Sequence, residues 1–114
     1  MKPPIHIEPG SLLQHIYVLN PAGFCRADLP IAACRSGACG VLNAEIPCDP
    51  SILQAGLSRL ESHTKNGYGL KLPALDKKTK AFLEYFGKRG LSQLILDGHF
   101  QDSKHTAKAW SAFR

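Results

Sequence analysis

Residues 49–73 read DPSILQAGLSRLESHTKNGYGLKLP, and this stretch carries the strongest structural signals of the chain. Asp49 suits a helix N-cap and Pro50 suits the first helical position, while the following isoleucine and leucines share one helical face. An Asn-Gly pair then supplies the left-handed conformation at which helices end. Leucines alternate with small or polar residues up to the next proline. We therefore predict a helix over residues 50–65 and a strand over residues 68–72.

Outward from this stretch the patterns are weaker. In chain order they predict an edge strand over residues 5–8, a helix over 12–19, an ordered loop over 21–40, a strand over 40–46, a helix over 77–86 capped by Asp76, and a last helical turn after Ser103. Residues 91–96 fit either a short helix or a strand. These elements predict an α+β fold, with a short β-sheet and two or three helices packed on one side.

The length of 114 residues suits a small single domain, residues 1–114, with one core. Within it we distinguish a loop-rich, cysteine-containing half, residues 1–48, from a basic helical half, residues 49–114. No apolar run approaches the roughly 18 residues of a membrane helix, and the N-terminus lacks the apolar segment of a secretory signal. We therefore expect no membrane association and a cytoplasmic protein.

Positive charge is concentrated in the second half of the chain. Residues 1–62 carry a net charge of −1 and residues 63–114 a net charge of +6. A basic surface from Lys65 to Lys108 would attract nucleic acid or an acidic protein. The candidate binding residues are Lys71, Lys77, Lys78, Lys80, Lys88, Arg89, Lys104 and Lys108. Tyr68, Tyr85 and Trp110 are candidates for stacking on bases.

Residues 68–101 show a strand, a lysine-bearing helix, a basic glycine turn and an apolar segment in that order. This arrangement is similar to the ribbon-helix-helix repressors, in which a dimer inserts a two-stranded ribbon into the major groove. The resemblance implies a homodimer in which Lys71 points at bases. It also implies that Lys88 and Arg89 lie near phosphates.

All four cysteines lie within one 24-residue window, Cys25, Cys34, Cys39 and Cys48. Four thiolates would suit a zinc site, although only Cys34 and Cys39 approach the usual ligand spacing. The stretch around these two resembles the cluster-binding loop of plant-type [2Fe–2S] ferredoxins, which implies an iron–sulfur cluster. In that pattern the third ligand position is occupied by Leu42, and no cysteine follows Cys48. We expect no cofactor, with the thiols acting as small apolar side chains.

No catalytic motif stands out, because the histidines are scattered and the carboxylates are thinly spread. We therefore expect a small non-enzymatic binding protein that binds nucleic acid or regulates it through the basic half. The alternative is a protein–protein inhibitor or adaptor that docks on an acidic partner, for example one encoded by a mobile element. A metal or redox protein built on the cysteine window is the third hypothesis.

Overall fold

Strands and helices alternate along the chain in the computed structural model, which describes residues 15–46 and 49–96. The order is β1, Tyr17–Leu19; α1, Asp28–Arg35; β2, Cys39–Asn43; α2, Pro50–His63; β3, Tyr68–Leu72; α3, Lys77–Gly87; and β4, Leu91–Leu96. This set of elements confirms the predicted α+β domain with a small sheet and three helices.

The four strands form one sheet in the order β1-β2-β3-β4, and every neighbouring pair is parallel. Each helix crosses from the end of one strand to the beginning of the next. The sheet consequently has an amino edge, where strands begin and helices end, and a carboxyl edge, where strands end and helices begin. These two edges organise every polar cluster described below.

The core lies between the sheet and the three helices. Leu42, Tyr68 and Leu70 contribute buried side chains from the two central strands. Helical residues of the same cluster are Ile31 of α1, Leu53, Leu57 and Leu60 of α2, and Leu83 and Phe86 of α3. Because one apolar cluster includes all three helices, they cover a single face of the sheet, as the sequence predicts.

The predicted loop over residues 21–40 is wrong, since it contains α1. The N-cap position is occupied by Ala27, which offers no side-chain bond, and Pro30 lies inside the first turn. Proline costs little there because the first four backbone N–H groups of a helix have no intrahelical acceptor. The ferredoxin-like loop is therefore replaced by a helix in this fold.

Contact between α1 and β2 depends on Gly40. A Cβ atom at this position would overlap the carbonyl oxygen of Pro30 and would lie 2.8 Å from Cys34 Sγ. Only a residue without a side chain lets the helix backbone approach the strand this closely. The Gly40 amide N–H also donates to Cys34 Sγ at 3.3 Å.

Local signals located the other elements well. The predictions for α2, β3 and α3 are confirmed, and β2 overlaps the predicted strand but begins one residue earlier, at Cys39. Asp49 caps α2 by accepting from the Ser51 amide, and Asp76 forms a capping box with Thr79. Residues 17–19 form β1 rather than the end of a helix, and residues 91–96 form a strand. The strand over 5–8 and the turn after Ser103 lie outside the described residues.

Candidate functional site

Lys71 belongs to the central strand β3 and forms an ion pair with Glu45. Its Nζ lies 3.1 Å from Glu45 Oε2, and its side chain is only 19% exposed. The strand that carries it pairs with β2 on one side and β4 on the other. Neither edge of β3 is available for a ribbon with a second copy. The ribbon-helix-helix arrangement is therefore wrong, and Lys71 is bound by Glu45 instead of projecting from a ribbon.

Arg89 is also engaged within the protein. Its Nη1 lies 3.2 Å from Glu61 Oε1, and its guanidinium carbon lies 4.4 Å from the ring centre of Tyr85. Tyr68, a predicted stacking residue, is completely buried. Burial raises the pKa of the Tyr68 hydroxyl, and the Glu61 charge adds to this effect. Tyr68 is consequently a core residue and cannot stack on a base.

The structure divides the remaining predicted cations between the two edges. Lys77, Lys78 and Lys80 belong to the beginning of α3, near the carboxyl edge. Lys88 is the C-cap of α3, so it lies near the amino edge together with Arg89. An eleven-residue helix rises about 16 Å between these groups. Lys104 and Lys108 lie outside the described residues.

A cleft of about 740 Å³ opens at the amino edge. It is lined by His15, Tyr17, Cys34, Arg35, Gly37, Ala38, Cys39, His63, Thr64, Lys65, Asn66, Gly67, Ser92 and Gln93. These residues come from the ends of α1 and α2 and from the beginnings of the strands. The volume is within the range of pockets that hold small ligands. Among the described lining residues there is no aspartate or glutamate.

Arg35 and His63 meet at the mouth of this cleft. Arg35 Nη2 lies 3.0 Å from His63 Nδ1. Because a guanidinium can only donate, Nδ1 must accept, and the ring proton of a neutral His63 therefore resides on Nε2. Both side chains thus offer N–H donors. Within the described residues neither Arg35 nor Lys65 forms an ion pair with a carboxylate.

Basic residues recur where the helices end. We call Arg35, His63, Lys65, Lys88 and Arg89 the basic rim. Helix carboxyl termini carry about −0.5 charge each, so three of them contribute about −1.5 at this edge. The four lysines and arginines of the rim exceed this amount, even after Glu61 offsets Arg89. The amino edge therefore retains positive charge.

Two thiols, those of Cys34 and Cys39, line the same cleft. Burial raises the pKa of Cys34 and of Cys39, so both remain protonated near neutral pH. Cys25 lies in the core before α1, whereas Cys34 lies in the last turn of that helix, about 9 Å of helical rise beyond its first residue. Cys48 lies outside the described residues. No cluster of three metal-binding side chains occurs in residues 15–46 and 49–96.

At the carboxyl edge, Asn20 and Asn43 are buried against each other. Asn20 Oδ1 accepts from the Asn43 amide at 2.7 Å, and its Nδ2 donates to the Asn43 carbonyl at 3.2 Å. Asn43 Nδ2 donates in return to the Asn20 carbonyl. No side-chain polar atom buried in the described part of the chain lacks a hydrogen-bond partner. This network ties the end of β1 to the end of β2.

Sequence reasoning missed Arg35, His63 and Tyr17 as site residues. Arg35 lies within the segment predicted as a loop, and Tyr17 within one predicted as a helix. A usable signal was present, because α1 and α2 each carry a basic residue in the last turn. Parallel strand order would have placed these two helix ends side by side, but that order is not encoded in a local pattern.

None of the helices in residues 15–46 and 49–96 is both long and apolar enough to span a bilayer. No protein-family model, curated protein or solved structure matches the chain. Its function is therefore inferred from the geometry and charge of the two sheet edges.

Proposed function

We propose that this protein binds nucleic acid through the cleft and basic rim at the amino edge of its sheet. The observation that carries this proposal is a cleft of about 740 Å³ whose described lining includes Arg35, His63 and Lys65 and no carboxylate. Phosphate diesters are strong acceptors, and they bind best to guanidinium and ammonium groups that have no acidic partner.

The acidic side chains of the neighbouring elements also support this choice of binding surface, because most of them are already bound within the protein. Asp28 is bound by Arg26 and Arg59, and Arg59 lowers the pKa of the Asp28 carboxyl. Glu61 is bound by Arg89. Asp49 caps α2 at the other edge. A phosphate approaching Arg35 and Lys65 would therefore meet little competing negative charge.

The proposed role is binding rather than chemistry. The thiols in the cleft are protonated near neutral pH because burial raises the pKa of each. A thiol is a poor nucleophile in that form. His63 uses Nδ1 to accept from Arg35, which leaves this nitrogen unable to act as a base while the contact persists. These features favour a binding or regulatory protein over an enzyme.

The test is a salt titration of binding to labelled single- and double-stranded DNA and RNA of random sequence. Changing Arg35→Gln and Lys65→Gln together should weaken binding at least about tenfold at low salt. It should also reduce the slope of log affinity against log salt by about 0.7–0.9 for each phosphate that the variant no longer neutralises. The matched control is Lys77→Gln with Lys80→Gln, which removes the same charge near the carboxyl edge and should leave affinity nearly unchanged.

Two outcomes would overturn the proposal. Equal weakening in the two double variants would mean that a diffuse positive field, and not the rim, attracts the ligand. Absence of oligonucleotide binding at low salt would exclude nucleic acid as the ligand and favour the alternative of an acidic protein partner.

A further inference from the structure

Tyr17 is the aromatic residue that faces the cleft from β1. It is 47% exposed at the beginning of this strand, and it is the sole tyrosine, phenylalanine or tryptophan among the described lining residues. A tyrosine this exposed gains little from burial, yet it lines the same cleft as the cations at the ends of α1 and α2. Its ring supplies a flat apolar surface beside a positively charged wall.

The cleft extends across the width of the sheet. Its strand residues come from β1, from β2 and from β4, and adjacent strands lie about 4.8 Å apart, which gives about 14 Å from β1 to β4. Ser92 and Gln93 bring hydroxyl and amide groups to the β4 end. Gly67 lies in the turn between α2 and β3 and has a φ of +93°. A Cβ atom at this position would overlap Ser92 Oγ, so the close approach of this turn to β4 requires glycine.

We infer that the cleft holds an unpaired nucleotide of a single strand, with its base stacked on Tyr17 and its flanking phosphates bound by Arg35 and Lys65. This inference rests on the proposed function and specifies the form of nucleic acid. Stacking on an exposed aromatic ring beside cations is how proteins bind single strands with little sequence preference.

The cleft favours an unpaired base over a duplex. A recess of about 740 Å³ has room for a base and its sugar. A duplex keeps its bases paired and stacked, so it can contact only the rim through its phosphates. A single strand makes the same phosphate contacts and adds a stacked base.

The experiment compares three probes of equal length: an oligothymidylate, a single strand of abasic sites and a mixed-sequence duplex. The wild-type protein should bind the oligothymidylate about tenfold more tightly than the abasic strand, since only the oligothymidylate has a base to stack on Tyr17. Tyr17→Ala and Tyr17→Leu should each remove this preference and leave affinity for the abasic strand and the duplex unchanged. Tyr17→Phe should retain it.

The matched control is Phe24→Ala, which removes a more exposed aromatic ring, 67% accessible, from the loop after β1 at the opposite edge. It should not alter binding to any probe. Tyr17→Leu keeps an apolar side chain at this position, so it tests stacking if the alanine variant folds poorly. Urea unfolding of each variant measures whether its stability equals that of the wild-type protein.

Separate outcomes distinguish the two proposals. Loss of binding in the Arg35 and Lys65 variant with no effect of Tyr17→Leu would overturn the single-strand inference and leave the nucleic-acid proposal intact. Equal weakening of all three probes by Tyr17→Leu would also overturn the inference, because the tyrosine would then act on the fold. Equal affinity of the wild-type protein for abasic and thymidylate strands would do the same.

Discussion

The two edges of the sheet contain similar kinds of polar side chains but use them differently. At the carboxyl edge, Asn20 and Asn43 bond to each other, and Lys71 bonds to Glu45. At the amino edge, Arg35 bonds to a histidine, and neither it nor Lys65 has a carboxylate partner among the described residues. Asn20, Asn43 and Lys71 are thus bound by partners inside the protein, whereas Arg35 and Lys65 remain able to bind an anion.

This difference suggests that the carboxyl edge contributes to stability and the amino edge to binding. A buried polar group must be bonded inside the protein, because leaving it without a partner costs about 1–3 kcal/mol. A cation at the mouth of a cleft stays hydrated and can exchange water for a phosphate. We therefore expect substitutions at the carboxyl edge to lower the free energy of unfolding, and substitutions at the amino edge to lower affinity.

The largest expected effect is that of Asn20→Ala. The change removes the acceptor of the Asn43 amide and the donor to the Phe24 and Asn43 carbonyls. We expect the free energy of unfolding to fall by about 3 kcal/mol, measured by urea titration. Ser36→Ala, which removes an exposed hydroxyl bond to Ala32, is the control and should change it by less than about 0.5 kcal/mol. A decrease below about 1 kcal/mol for Asn20→Ala would contradict the structural role of this edge.

A smaller contrast is expected between two lysines. Lys71→Gln should lower the free energy of unfolding by about 1 kcal/mol, because it leaves Glu45 without its half-buried partner. Lys65→Gln, at the amino edge, should change it by less than about 0.5 kcal/mol while weakening oligonucleotide binding. If the two variants were destabilised equally, the distinction between the edges would fail for charged residues.

The smallest effect should come from raising the pH. Burial raises the pKa of Cys34, Cys39 and Tyr68, all near the amino edge. The folded state therefore retains these protons after the unfolded chain has begun to lose them. Stability from this source is complete below about pH 9 and declines as the pH rises toward the folded-state pKa values.

Urea midpoints measured between about pH 7 and about pH 11 would follow this decline. Cys34→Ala combined with Tyr68→Phe should make it shallower, since each substitution removes a group that titrates. A midpoint that stayed constant or rose over this range would contradict the expected direction.

Part of the candidate site was predictable and part was not. Lys88 and Arg89 were predicted and do lie on the basic rim, whereas Lys71 was predicted as a base contact and is bound to Glu45. Arg35 was missed because α1 begins without a capping side chain and contains a proline. The binding role of the cations, the absence of a cofactor and the partner stay predictions.

The sequence by itself determined α2, β3 and α3, together with the excess of positive charge after residue 62. Caps, prolines and apolar periodicity act over a few neighbouring residues, so a local pattern is sufficient to define them. Only the tertiary structure decided that the strands are parallel and that the ends of α1 and α2 meet. Arg35 and His63 are 28 residues apart, and Asn20 and Asn43 are 23 apart. Such pairs are brought together by the packing of helices on a parallel sheet, which no single segment specifies.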